Sequence, residues 1–378
     1  MRILHVLAER GFSGGENQLL ATVRHLQAGG HEQHMVLDPR ASFRGCAEQL
    51  EIPWTELRFR GNYDLIAARR LRRRIDEVRP DLVHLACSRS HKIGALATLF
   101  GRRNALPPRV VTRRMDYPIG NTPFRRWIYG RAVSAVVVIS AGVRDAVLAV
   151  GVDPGRVHLI HEGVATRELA SLRAPERRAA ARARLGLDAA TFFGVTNASL
   201  HRRKAHEVLL EALAGLDLPS GKRLVWLFGG DGPERAALQA RAAELSSGIE
   251  VRIPGRIDYV QEALAAADAF CLPSRYEGLG VALLEAMASG VPCIASRVGG
   301  MREVLESGVS GLHVEPGDVE GLRAAVQSLV VDASLAARLG AAGSERARDL
   351  FDVTRMGEQT EALYRAVCAG SATPHAAR

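Results

Sequence analysis

Glu277 and Glu285 flank the glycine run Gly278-Leu279-Gly280-Val281, inside a stretch that reads Ser274-Arg275-Tyr276-Glu277-Gly278-Leu279-Gly280-Val281-Ala282-Leu283-Leu284-Glu285-Ala286-Met287-Ala288-Ser289-Gly290. Backbone N–H groups where a glycine loop opens a helix can hold an anion such as a diphosphate without any basic side chain. Glycine matters there because a Cβ would obstruct the close approach. The carboxylates add hydrogen-bond acceptors for hydroxyls: Glu277 lies where a pyranose would sit, and Glu285, about one and a half turns along the helix, is within reach of a ribose. Taken as a pattern alone, the pair also fits one helix-capping glutamate and one exposed glutamate.

The elements that must position this loop surround it. A strand ends near Pro273, and the short helix that begins near Gly280 stops at Gly290. Earlier in the chain, apolar strands alternate with helical periodicity: Arg2 to Leu7, Gln33 to Leu37, Asp81 to Ala86, Arg109 to Thr112, Val133 to Ile139 and Val157 to Ile160 read as strands. A polar, Ala- and Arg-rich stretch from Thr166 to Arg184 interrupts the order. It restarts with strands at Phe192 to Thr196, Leu224 to Phe228, Val251 to Ile253, Ala269 to Leu272 and Cys293 to Ala295. This alternation predicts an α/β protein of two doubly wound, Rossmann-like domains facing a cleft. Residues 1–164 form the N-terminal domain and 187–351 the C-terminal one.

Length and composition agree. At 378 residues the chain exceeds one ordinary core, and its 47% hydrophobic and 24% charged residues are those of a folded chain up to a tail after Gly370. Five scattered cysteines make no CxxC pair or metal-ligand spacing, so free thiols in a reducing compartment are expected. With no leader pattern and no apolar run approaching a membrane span, the reading is a cytoplasmic protein, peripheral on the inner face of a membrane at most.

Charge is divided unevenly. Through Val164 there are 25 Lys+Arg against 15 Asp+Glu, so the whole of the +9 net charge lies in the first half. The segment Leu65 to Val78 puts Leu65, Ala68, Leu71, Ile75 and Val78 on one helical face and Arg69, Arg70, Arg72, Arg73 and Arg74 on the rest. Such a face fits an anionic membrane surface, or it is an ordinary solvated face. Nucleic acid is not expected, because no aromatic interleaving or recognised module accompanies the charge.

The Glu-x7-Glu run resembles the donor-site motif of the family 4 glycosyltransferases of the GT-B fold. Other pieces resemble that family along nearly the whole chain: Gly14-Gly15-Glu16, Pro80-Asp81-Leu82-Val83-His84, Val138-Ile139-Ser140, Gly229-Gly230-Asp231-Gly232-Pro233-Glu234 and Gly299-Gly300 before Glu303. The resemblance implies a retaining transfer of a glycosyl unit from a nucleotide sugar to a hydroxyl, with the helix 352–370 packing back on the N-terminal, acceptor-binding domain. Glu277 would contact the transferred sugar, Glu285 the ribose, and Gly278, Leu279, Gly280 and Val281 the diphosphate through their N–H groups. Lys204, one of only three lysines among 50 basic residues, would neutralise the leaving diphosphate. Gly15 would approach the donor phosphate.

The chain departs from the family at three places. Ala198 or Ser199 stands where an Arg usually precedes the phosphate Lys, leaving Arg202 or Arg203 to replace it. Arg114 stands near a frequent His, and Glu162-Gly163-Val164-Ala165 replaces a frequent Asn-Gly-Val-Asp. Glu16, His84, His91 and Arg114 are further candidates for the cleft.

No Asp-x-Asp motif occurs, so no metal or other cofactor is expected; the nucleotide sugar is a co-substrate. The expected acceptor is a cell-envelope glycolipid, lipopolysaccharide or polysaccharide intermediate. Two other functions fit the same pattern: a sugar-nucleotide epimerase of the same fold, and a nucleotide-binding module without catalysis.

Overall fold

Parallel strands buried on both faces need nearly continuous apolar runs, and this chain supplies them twice. The computed structural model describes residues 1–11, 13–100, 106–246 and 248–370; the tail after Gly370 lies outside them. Contacts divide the chain into two units, Met1–Glu162 joined by the chain from Val353, and Gly163–Asp352.

In the first unit the strands are β1 (Arg2–Leu7), β2 (Glu32–Leu37), β3 (Trp54–Glu56), β4 (Leu82–Leu85), β5 (Arg109–Arg113), β6 (Ala135–Val138) and β7 (Val157–Leu159). They form one parallel sheet in the order β3-β2-β1-β4-β5-β6-β7. Its helices are α1 (Gly14–Ala28), α2 (Arg44–Gln49), α3 (Leu65–Val78), α4 (Ser88–Ala97), α5 (Pro123–Gly130) and α6 (Ala141–Leu148). The second unit opens with α7 (Thr166–Ala170) and α8 (Pro175–Arg184). Strands β8 (Thr191–Asn197), β9 (Arg223–Gly229), β10 (Ile249–Gly255), β11 (Ala269–Leu272), β12 (Cys293–Ser296) and β13 (Leu312–Val314) follow. Their order is β10-β9-β8-β11-β12-β13. Between and after them run α9 (His206–Ala214), α10 (Arg235–Ala242), α11 (Val260–Ala266), α12 (Val281–Ala288), α13 (Met301–Val304), α14 (Val319–Val331) and α15 (Ala333–Leu350).

The last helix, α16 (Val353–Cys368), returns to the first unit and packs on α1. Met356, Leu363, Tyr364 and Val367 enter a core with Ile3, Leu26, Leu82 and Val110. Glu361 fastens the same helix by polar contacts, accepting from His25 (3.1 Å) and His31 (2.9 Å).

The second unit begins at Gly163, earlier than the break at residue 187 read from composition. The reason lies in the arginines of α8. Arg178 and Arg182 reach the carbonyls that end α11, Arg178 at Ala267 (2.8 Å) and Arg182 at Ala266 (3.2 Å), and Arg182 also meets the Asp268 carboxylate at 3.0 Å. Cations are favoured at a helix C-terminus, so a stretch that reads as a linker is a docked clamp.

Helix α3 also differs from its sequence reading. Arg72 turns inward, donating to the Phe100 carbonyl (2.9 Å) and to Asp76 (3.0 Å), while Leu65 and Ile66 are exposed. Arg69, Arg70 and Arg73 remain exposed. Among the described residues no helix is long and apolar enough to cross a membrane.

Candidate functional site

In the second unit the strand order reverses between β8 and β11, which pair as neighbours although β9 and β10 lie between them in sequence. Connections leaving two such strands run to opposite faces of the sheet, and the crevice beyond their carboxyl ends is where open α/β sheets take ligands. Lys204 and Glu277 sit on those two connections. After β8 the chain makes a short turn over Arg202–Lys204 and then places Ala205 at φ 53° before α9. After β11 it enters the loop 273–280.

The two loops are tied to each other. Arg275 N donates to the Arg203 carbonyl at 2.7 Å, and the Arg275 guanidinium reaches the Arg202 carbonyl at 3.0 Å. Lys204 Nζ then donates to Glu277 Oε2 in an ion pair, and Ser274 Oγ donates to the same oxygen at 3.3 Å. Lys204 is buried, so its charge is held at one point rather than free to sweep. Ser274 opens the sequence run without a role assigned to it, since a serine is unremarkable until its hydroxyl is placed.

Helix α12 starts at this loop. Gly280 precedes it at φ +90°, and a Cβ there would lie 3.3 Å from Met301 Cγ as well as strain the backbone. Gly278 is pinned from the other side, its carbonyl accepting from Gly300 N at 3.0 Å. Leu279 is buried and anchors the loop. The opening N–H groups of any helix, here those of Val281 and Ala282, have no intrahelical acceptor. They offer two donors beside the Lys204–Glu277 pair without a side chain being spent on it. Glu285, in the second turn, is half-buried, and burial pushes its carboxyl up to about 7.

The β8 connection is itself held by the Gly229–Glu234 loop. Leu200 N donates to the Asp231 carbonyl (2.9 Å) and Glu234 N to that of Leu200 (3.1 Å). A Cβ on Gly230 would fall 2.0 Å from the Ala198 carbonyl oxygen. That glycine lets one loop lie against the other and so sets the approach to Lys204.

Candidates in the first unit fare differently. Glu16 is buried and closes a capping box, accepting from Ser13 N (2.8 Å) and Ser13 Oγ (2.6 Å). His84 is buried in a polar chain: its Nδ1 lies 3.0 Å from His5 Nδ1 and its Nε2 3.0 Å from Thr112 Oγ1. Burial holds His5 down at about 4 and His84 well below the usual range, where His5 and Arg114 add to the effect. His91 bonds the Ile128 carbonyl at 2.9 Å against Tyr129. Glu16, His84 and His91 are thus each buried and hydrogen-bonded within the first unit, and His84 also borders a cavity beside Arg114.

Arg114 donates to Glu162 Oε1 (2.7 Å) and to the Ala86 carbonyl (2.6 Å). It helps line a small cavity of about 30 Å³ with His84, Thr112, Glu162, Thr360 and Tyr364. Gly15 sits beside it, where a Cβ would be 3.4 Å from Arg114 Cδ, so the space the glycine leaves is shared with this side chain. Among the described residues no group of three or more His, Cys, Asp or Glu is placed to hold a metal.

With this geometry in view, the comparisons with known proteins agree from two sides. Residues 178–346 match the model for "Glycosyl transferases group 1" and residues 12–168 that for "Glycosyltransferase Family 4". The alpha-maltose-1-phosphate synthase of Mycobacterium tuberculosis is 35% identical over 254 residues, covering 63% of this chain and 64% of that protein. The lipopolysaccharide core biosynthesis glycosyltransferase LpsE of Rhizobium meliloti is 39% identical over 143 residues, 38% of this chain and 41% of that one. The chain thus matches less than two thirds of the length of these relatives. In fold, it is similar to Anabaena HepE, solved in complex with UDP, at a TM-score of 0.83 and 21% identity over 97% of this chain and 100% of that one.

Proposed function

Because the chain belongs to the family 4 glycosyltransferases and has the GT-B fold, we propose that it moves a sugar from a nucleoside-diphosphate sugar to a hydroxyl acceptor with retention of anomeric configuration. The observation that carries this reading is the Lys204–Glu277 pair at the reversal of strand order, next to the glycine-initiated start of α12. The diphosphate takes the α12 N–H groups, and Lys204 turns from Glu277 to the phosphate. The ribose hydroxyls take Glu285. As the bond from the sugar C1 to phosphate oxygen breaks and that to the acceptor oxygen forms, negative charge grows on the departing diphosphate. Lys204 and the helix start are aimed at that charge. They do the work a divalent cation does elsewhere, and the acceptor proton leaves with the diphosphate.

The acceptor belongs to the cell envelope, a glycolipid, lipopolysaccharide or polysaccharide intermediate, met by the first unit at an anionic membrane surface. Support comes from the basic first half, from exposed Arg69, Arg70 and Arg73 beside exposed Leu65 and Ile66 on α3, and from the similarity to LpsE. A thermal-shift screen of nucleoside-diphosphate sugars tests the donor reading, since a bound donor raises the melting temperature by mass action. Incubating the best donor with and without envelope extract then separates transfer from epimerisation. No stabilisation by any nucleotide sugar, or donor consumed equally without acceptor, sinks the proposal.

A further inference from the structure

The carboxyl ends of β4 and β5 in the first unit carry a concentration of positive charge that the donor chemistry does not use. In sequence the stretch between Asp81 and Asp145 holds one carboxylate, Asp116, against eleven Lys+Arg, and four of those cations belong to elements around these strand ends. Asp116 itself lies beside Gly142 on α6. Arg89 and Lys92 stand one turn apart on α4, Arg113 ends β5, and Arg125 is in the first turn of α5, which packs against α4.

Three of these side chains are positioned by contacts within the first unit. Arg113 donates to Tyr129 Oη (2.9 Å) and to the Tyr117 carbonyl (2.7 Å), with its guanidinium 5.8 Å from the Tyr129 ring centre. Arg89 donates to the Ala8 carbonyl at 3.0 Å. Lys92 Nζ sits 5.9 Å from the centre of the Tyr63 ring. None of the four enters an ion pair among the described residues, whereas Arg114, Arg178, Arg182 and Lys204 are each matched to a carboxylate. The Nε atoms of Arg89 and Arg113 are buried without a hydrogen-bond partner.

Like charges gathered this way repel, and Lys92 registers it. Its ammonium is held below the usual lysine range first by burial and then by Arg125, Arg89 and Arg113, with Cys87 acting in the opposite sense. Clustered cations are stabilised by whatever anion they bind.

We propose that Arg89, Lys92, Arg113 and Arg125 form a binding site for a phosphate group, and that this phosphate is carried by the acceptor. Three guanidinium groups and an ammonium in one region suit a phosphate, with several oxygens and up to two negative charges, better than a carboxylate. The cluster lies at the carboxyl ends of parallel strands, the side on which such sheets take ligands. Naming the anion as the acceptor's rests on the transferase reading; the site itself does not.

The test uses the full chain and sn-glycerol 3-phosphate as probe, with glycerol as neutral control, at constant ionic strength. Calorimetric titration is run on the wild type, on K92Q/R125Q, on R69Q/R70Q with the same loss of charge on α3, and on K204Q. The site is supported if K92Q/R125Q weakens glycerol 3-phosphate binding by roughly tenfold or more, as losing charge-assisted hydrogen bonds should, while R69Q/R70Q and K204Q bind as the wild type does. Equal binding by K92Q/R125Q, equal loss in both double variants, or loss in K204Q overturns it.

Co-sedimentation with phosphatidylcholine vesicles, with and without phosphatidic acid, assigns the source. Loss of vesicle binding in K92Q/R125Q supports a lipid-borne phosphate. Vesicle binding equal to the wild type's, alongside lost glycerol 3-phosphate binding, supports a soluble one. Nucleotide-sugar stabilisation is measured on the same samples. A wild type that binds glycerol 3-phosphate but no nucleotide sugar keeps the site and sinks only the transferase reading.

Discussion

Lys204 Nζ and Glu277 Oε2 form an ion pair although 73 residues separate them, because β8 and β11 lie side by side and both loops leave at the point where strand order reverses. Replacing Lys204 with Met, or Glu277 with Gln, is expected to lower kcat by roughly 10²- to 10³-fold, the range for removing one group that meets transition-state charge. Circular dichroism should stay unchanged. Steady-state transfer kinetics are the check, and a drop of less than threefold for both variants would remove the pair from the chemistry.

Glu285 gives a pH dependence with a definite sign. Its carboxyl is pushed up to about 7 by burial, from an ordinary 4.5, so the folded protein holds a proton the unfolded chain has lost. The stability it contributes is fully present below pH 4.5 and is lost as pH rises through 7. Donor binding runs the other way, because the ribose needs the carboxylate as acceptor. Donor affinity should rise between pH 6 and 8 and level off above, and Glu285→Gln should flatten that profile. Nucleotide titrations across this range decide it; an identical slope in the variant would be the contrary result.

Gly194 packs under Trp226, whose ring carbon Cε3 would be 2.3 Å from a Cβ added there, and Trp226 is fully buried with Nε1 donating to Thr196 Oγ1 at 3.0 Å. Gly194→Ala should destabilise the second unit by about 1 to 3 kcal/mol, the usual effect of overpacking a closed core. Gly130, at the end of α5 with nothing within 4 Å, is the control. Its change to Ala should be neutral or slightly stabilising. Urea unfolding of both variants measures the difference, and equal midpoints would contradict the packing account.

Glu361 accepts from His31, Arg365 and His25, and these bonds hold its carboxyl down at about 2. A lowered carboxyl contributes stability above its unfolded value and loses it as pH falls through about 2. Glu361→Gln should therefore cost about 1 kcal/mol at pH 6, discounted for partial exposure. The deficit should shrink as the pH approaches 2. Melting temperatures of the two proteins across pH 3 to 7 show whether the curves converge.

Much of this architecture was readable because buried parallel strands are written as apolar runs, as in Ala269–Leu272 and Ala135–Val138. The strands not read from the sequence, Trp54–Glu56 and Leu312–Val314, are three residues each at sheet edges and carry polar residues that break the apolar run, whereas Ile160 prolongs the run of the equally short edge strand Val157–Leu159. Glu277 and Glu285 stood out by residue type and spacing, and Lys204 entered through the resemblance to the family. That Lys204 meets Glu277 was not legible, since their meeting depends on strand order, which no local pattern encodes. Glu16 is the opposite case. Its capping role is written in the signature Ser13-x-x-Glu16.

The return of α16 to the first unit has a consequence for synthesis. Ile3, Leu82 and Val110 leave the ribosome early, yet the residues that cover them, Met356, Leu363 and Tyr364, are made after all of the second unit. The first-made unit is therefore the last to be completed. While Gly163–Asp352 is being translated, an apolar face around Ile3 waits uncovered, open to chaperones and proteases.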